Sequence, residues 1–425
     1  MSNRAKKLYI FGGISRALSN RDYRIYWSGQ VVMVQGFWIY KIVAGWLMWE
    51  MTNSSTWLGA LAAGYMLPVL LLGPFGGAVA DRYGYRKVAI IMGFFGAVCA
   101  LLTASLTWIN LITPSLLVGL ALFQGSLFAF EFPARQSLFP LLVDRTNMTA
   151  AVAVNSTTYH SSGFTGPLLG GMLLTLGDTI SGVSAGFAAN AFCTGWMIIA
   201  LSRITSPQKE SGKPSGVKTT SLIQDLLIGF KYAYSHTDLR LLMLLSLFAS
   251  LFIRPYLDFL PGFSDDVFNK GKEGLTVLTA ISGIGSMAFA TYFAIRGRAQ
   301  GLVSVLYFCQ ISATIALIFF SILDEFVMAL LALSLVGGFL TSSSIAAQSL
   351  IQHTVANKFR ARVISLTVSL GIGAPALSAM SIGWAAEHVG LQVSLAGSAV
   401  LGLIITIPLS LTLMKRRKEI ETDKN

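Results

Sequence analysis

The chain has 425 residues, 54% apolar and 12% charged, with a mean hydropathy of +0.66 and a formal net charge of +12. So few charges cannot cover a water-facing surface, which excludes a soluble globular protein and with it a soluble enzyme. The apolar stretches run about 20 residues without period-two alternation, which excludes a transmembrane β-barrel and leaves an all-α membrane protein.

In chain order, residues 1–24 form a basic, amphipathic leader with Arg4, Lys6, Lys7, Arg16, Arg21 and Arg24, and no small-residue cleavage site precedes Tyr26. Twelve apolar runs follow, at roughly 25–50, 55–80, 88–108, 114–134, 149–176, 182–202, 239–261, 274–295, 302–322, 326–348, 363–386 and 390–414. A polar linker, 203–238, separates the sixth run from the seventh and carries Lys209, Lys213, Pro214, Lys218 and Lys231. Within it Leu222, Leu226, Leu227 and Phe230 share one face and predict an amphipathic surface helix over 221–234. The expected organisation is an N-terminal six-helix bundle (25–202), the linker, a C-terminal six-helix bundle (239–414) and a tail, 415–425.

Of the 31 Lys and Arg, all but Lys41, Arg254, Lys270 and Lys272 fall on one side of this threading. That asymmetry predicts a multi-pass protein with both termini in the cytoplasm, and it explains the net charge without a nucleic-acid partner. Cys99, Cys193 and Cys309 lie far apart in separate apolar runs and read as small buried hydrophobes, with neither metal-ligand nor redox spacing.

The halves echo each other. Ala134-Arg135-Gln136-Ser137-Leu138 after the fourth run matches Ala346-Ala347-Gln348-Ser349-Leu350 after the tenth, and Gly163, Gly166 and Pro167 are answered by Gly371, Gly373 and Pro375. Close helix packing explains each Gly/Pro run alone but not their matched positions. Six-plus-six spans with internal similarity predict two pseudo-symmetric bundles that rock about a midplane site.

Between the second and third runs, Gly77-x-Val79-Ala80-Asp81-Arg82-x-Gly84-x-Arg86-Lys87 resembles the turn motif of the major facilitator superfamily, with Tyr85 where a basic residue is commoner. Gly163-x-x-Gly166-Pro167-x-x-Gly170-Gly171 resembles that superfamily's helix-five exporter motif, with Ser162 in place of its first glycine. Trp46-Leu47 with Met51-Thr52, Glu131-x-Pro133-Ala134-Arg135-Gln136, Arg254-Pro255-Tyr256, Leu260-Pro261-Gly262-Phe263 and Glu273-Gly274-Leu275 are similar to the branch containing the enterobactin exporter and macrolide-efflux relatives. The resemblance covers nearly the whole chain. It implies twelve transmembrane helices, efflux across the plasma (cell inner) membrane, and no enzymatic activity, cofactor or metal.

Intramembrane ionisable side chains are costly and need a partner or a role. Here they are Lys41, Glu131, His160, Arg254 and Asp258. Arg254 and Asp258 stand four apart and could neutralise each other, or Asp258 could answer Lys41 across the repeat. Trp38 and Tyr40 beside Lys41 could stack on a flat cargo or belong to an interfacial belt, the belt being the reading for Trp49 and Trp57. Lys41, Trp38, Tyr40, Arg254 and Tyr256 are the candidate cargo site, and Asp258, Glu131 and His160 the candidates for proton coupling. Glu50 and Glu387, at helix ends, read as solvated, and the remaining carboxylates as loop residues.

In the family an acid at the depth of Glu131 commonly pairs with a basic residue of the turn. Gly77, Asp81, Arg82, Gly84, Arg86 and Glu131 therefore form the expected latch, with Asp81 capping the eleventh span near Arg360, Arg362 and Val363. The equivalent turn of the second half is reduced to Arg296-Gly297-Arg298, so the latch is expected on one side only.

Many relatives carry an acid after the helix-one glycine, where this chain has Gly36-Phe37. With that acid missing and Lys41 a turn further on, an anionic or zwitterionic, siderophore-like cargo is expected. No Gly-x4-Gly-Lys-Ser/Thr loop is present, so the drive is expected from protons rather than ATP. Macrolide-type drug efflux is the alternative cargo reading, and a lipid flippase or non-transporting sensor the alternative class. A monomer in contact with membrane lipid is expected.

Overall fold

The computed structural model describes residues 18–143, 147–205, 230–296, 301–356 and 359–417. Most of the predicted surface helix over 221–234 lies outside these residues. The first half comprises α1 (Arg21–Thr52), α2 (Ser55–Tyr83), α3 (Tyr85–Trp108), α4 (Pro114–Leu138), α5 (Met148–Leu174) and α6 (Thr179–Ser202). The second comprises α7 (Thr237–Phe252), α8 (Tyr256–Gly262), α9 (Gly271–Arg296), α10 (Leu302–Ile322), α11 (Phe326–Thr354), α12 (Arg360–Gly373), α13 (Pro375–Val389) and α14 (Leu391–Lys415). Among the described residues, ten helices are long and apolar enough to cross a membrane, α7 and α8 counting as one. The 27-residue α5, about 40 Å at 1.5 Å per residue, and the broken pair α12–α13 complete twelve crossings.

The crossings end where the sequence encodes caps. Asn20 Oδ1 accepts from the Asp22 and Tyr23 amides to start α1, and Ser54, Thr113, Asp178 and Glu325 do the same for α2, α4, α6 and α11. Gly84, at φ 92°, turns α2 into α3 in one residue, a backbone angle an L side chain resists. The seventh crossing is interrupted because Pro255 has no N–H to donate and disfavours helix in the residue before it: α7 stops at Phe252 and α8 restarts at Tyr256. Beyond α8, Phe263–Val267 winds as a π turn.

Within the first bundle α1 packs on α5 and α6, and α4 on α2 and α3; in the second α11 packs on α9 and α10, and α14 on α10 and α7. The bundles meet along two seams, α2 against α13 and α5 against α9, related by the internal repeat. At the first seam the backbones touch. A Cβ on Gly59 would strike the Ala379 carbonyl, and one on Gly383 the Ser55 carbonyl.

The core shows how the bundles stand. One apolar cluster joins both, from Tyr40, Trp46 and Trp49 of α1 to Tyr256, Phe259 and Phe263 after the break, in the half remote from the chain ends. Toward the face carrying the chain ends, called here the terminal face, the core separates. One cluster, including Tyr23, Tyr26, Val88, Leu138 and Leu201, belongs to the first bundle, and another, including Leu242, Leu302, Ile351 and Leu413, to the second. The two bundles are therefore drawn together at the opposite face and have separate cores at the terminal face.

Candidate functional site

A cavity lies between the bundles in the half where they are joined. Its walls are Phe37, Trp38, Tyr40, Lys41 and Gly45 of α1, Leu58, Leu61, Ala62 and Tyr65 of α2, Leu257, Asp258 and Pro261 of α8, and Leu275 and Thr279 of α9. The lining is apolar and aromatic apart from one charge pair and a threonine. Tyr40 and Tyr65 have ring centroids 5.3 Å apart, and Phe37 stacks on Phe128 at 5.9 Å. Trp38 is seated on α5, where Gly166 leaves room for the root of its side chain; a Cβ there would strike it. The Trp38 and Trp46 indole N–H groups are buried without a partner.

Across the cavity the Lys41 ammonium reaches Asp258 Oδ1 at 2.9 Å, with both side chains partly exposed, at 24% and 17%. One partner belongs to each bundle. An ion pair in apolar surroundings is screened less than a surface pair, and removing one partner strands the other charge.

Arg254 and Tyr256 are not brought into this lining. The expected Arg254–Asp258 neutralisation is replaced: the interruption before Pro255 puts Arg254 outside α8, Asp258 goes to Lys41, and the Arg254 guanidinium donates to Ser344 Oγ at 3.3 Å. Tyr256 is 2% exposed and exchanges a 2.6 Å hydrogen bond with Ser282 behind the cavity wall. The His160 side chain lies outside the described residues.

Glu131, 4% exposed, accepts from Arg135 Nε one turn along α4 at 2.7 Å, and Arg135 also donates to Gln30 of α1. The expected contact between Glu131 and the α2–α3 turn is absent from this conformation: Arg135, on the same helix face, takes Oε1, and Oε2 is buried without a partner. Asp81 accepts from the Tyr85 hydroxyl, Arg86 donates to the Ser202 carbonyl at 2.6 Å, and the Arg82 guanidinium lies 5.6 Å from the Tyr83 ring centroid. A Cβ on Gly77 would meet open space. The turn is thus bonded within its own bundle, and the Arg360 and Arg362 side chains lie outside the described residues. Of the helix-five glycines, Gly163 and Gly166 face Trp38, Gly170 faces Ile39 and Ile42, and Gly171 faces Thr276 of α9; Pro167 is buried among them.

Two contacts between the bundles are not anticipated by the sequence. Trp49, read above as a belt residue, is 1% exposed and donates its indole N–H to Asp265 at 3.0 Å. Glu387 is exposed, as expected, but also accepts from the Ser54 hydroxyl at 2.5 Å and the Thr56 amide at 3.1 Å, so an acid of α13 caps the first turn of α2. The Ser54-x-Thr56 cap signal is visible in the sequence, but nothing local assigns it a partner 333 residues away. Both carboxylates come from the second bundle and both sets of donors from the first.

Two six-helix bundles about a central cavity are the architecture of a membrane transporter, and solved transporters share it. The nucleoside transporter NupG superposes with a TM-score of 0.66 at 14% identity, covering 93% of this chain and 98% of that one. The inward-open xylose transporter XylE from E. coli gives 0.69 at 14% identity, covering 91% and 95%. Residues 15–424 match the family model described as transmembrane secretion effector, and the chain belongs to that family within the major facilitator superfamily. It is 24% identical to the staphyloferrin A transporter of Staphylococcus aureus over 347 residues, 81% of this chain and 84% of that protein. It is 27% identical to the enterobactin exporter EntS of Shigella dysenteriae over 192 residues, 43% of this chain and 42% of that protein.

Proposed function

We propose that this protein exports a small anionic molecule of the siderophore type from the cytoplasm by alternating access, in exchange for protons. The reading rests on the Lys41–Asp258 pair, one charge from each bundle, set in an aromatic cavity at the seam. The names of the relatives, a staphyloferrin A transporter and an enterobactin exporter, support this class of cargo.

The basic terminal face is assigned to the cytoplasm by its Lys and Arg excess, so the separated cores face inward and this conformation is the one that loads. In this conformation the pair ties the bundles together. Two events untie it: an acidic group of the cargo takes Lys41 from Asp258, or a proton from the opposite side neutralises Asp258. If only an untied protein can rock, cargo moves one way and a proton the other, because each does the work of breaking the same bond. A membrane potential adds about 2.3 kcal/mol per charge per 100 mV to one such step.

The test is transport by the full chain in proteoliposomes with an imposed pH gradient, offering staphyloferrin A, enterobactin and a cationic macrolide. Gradient-dependent movement of either siderophore in preference to the macrolide is expected. Preference for the macrolide would move the reading to drug efflux, and failure to move any of them would remove it.

A further inference from the structure

Arg254 is a guanidinium inside a membrane crossing, and among the described residues no carboxylate lies within ion-pair reach of it. Ser344 of α11 is its hydrogen-bond partner, at 3.3 Å, and a neutral hydroxyl does not neutralise a cation. The side chain is partly exposed. The Arg254 carbonyl accepts from the Leu257 amide at 3.4 Å, so the chain already turns here and places Arg254 one turn before Leu257 and Asp258 and two before Pro261. Those three line the cavity. Arg254 thus extends the cavity-facing edge of the crossing toward the terminal face, where the two bundles have separate cores. Five N–H donors fixed in a plane suit a carboxylate, and one acceptor leaves most of them unused.

We infer that Arg254 is a second anion-binding station, which takes the acidic group of the cargo from the terminal side before Lys41 does. This rests on the export reading above and specifies its loading step. Lys41 is held by Asp258 in this conformation, whereas Arg254 has no acid to displace. An entering carboxylate therefore meets the unpaired cation first. From there Lys41 lies further along the same cavity edge, and the transfer replaces Asp258 at the ammonium.

The experiment is calorimetric binding of salicylate to the purified full chain, with neutral salicylamide as the matched control. The proteins are wild type, Arg254→Gln, Arg254→Lys and Lys41→Gln, each first shown to melt at the wild-type temperature. Expected are a preference for salicylate in wild type, a loss of about tenfold or more in Arg254→Gln, and retention within about threefold in Arg254→Lys. A loss in Arg254→Gln supports the station whether or not Lys41→Gln also weakens binding. Loss in Lys41→Gln with Arg254→Gln unchanged would overturn the station and leave the export reading standing. No carboxylate-dependent signal in wild type would overturn both.

Discussion

Trp49 donates its indole N–H to Asp265 at 3.0 Å, tying the end of α1 to the π turn that follows α8. Trp49→Phe keeps the ring and removes the donor, leaving a half-buried carboxylate unpaired. A hydrogen bond to a charged group contributes about 1.5–3 kcal/mol, so this change should raise the population open at the opposite face by roughly tenfold or more. Spin labels at the exposed positions Asn53 and Lys270 should report a longer distance component; an unchanged distribution would count against a clasp.

The Glu387 contact should matter less. Its carboxylate accepts from Ser54 and Thr56 but is exposed, where water and salt screen it. Glu387→Gln should shift the same labels in the same direction by a smaller amount, and the shift should shrink as salt is raised. An effect larger than that of Trp49→Phe would reverse the ranking.

Closure at the opposite face also needs bare backbone. Gly383→Val would set side-chain atoms against the Ser55 carbonyl, and neither backbone can retreat without parting α2 from α13. Transport should fall at least tenfold while the protein still inserts and stays monodisperse, since the obstruction lies between bundles and not within one. Unimpaired transport would show that the seam does not close this tightly.

The Glu131–Arg135 pair is a stability element in this conformation. Arg135→Ala leaves Glu131 buried at 4% exposure without its cation, a loss of about 3–5 kcal/mol for a stranded buried charge. The melting temperature in detergent should drop by several degrees, and adding Glu131→Gln should restore part of it. A drop that Glu131→Gln does not relieve would mean that Arg135 matters for packing or for Gln30.

The crossings are legible in the sequence because apolar runs, and for α1, α2, α4, α6 and α11 side-chain caps, are local properties. The linker helix falls mainly outside the described residues, and the break in the seventh crossing is hidden. Pro255 signals it, but hydropathy continues through Ile253 and Leu257 and masks an interruption of three residues. The repeat suggests Lys41 and Asp258 as possible partners; the competing Arg254–Asp258 reading fails because the Asp258 carboxylate turns to Lys41 of the other bundle while the Arg254 guanidinium donates to Ser344, a choice that spacing along one crossing does not encode. The burial of Trp49 and the partners of the exposed Glu387 are missed for a different reason. Both sets of contacts are supplied by the other bundle, and no periodicity within either half encodes the register of α1 and α2 against the π turn and α13.

The pair of Lys41 and Asp258 carries the proposed mechanism, and Asp258→Asn separates its two halves. In proteoliposomes loaded with the anion that wild type moves, this variant cannot take up the coupling proton but keeps Lys41 free for cargo. Cargo–cargo exchange should continue while accumulation driven by a pH gradient disappears. Gradient-driven accumulation at the wild-type level in Asp258→Asn would contradict the exchange of cargo and proton at this pair.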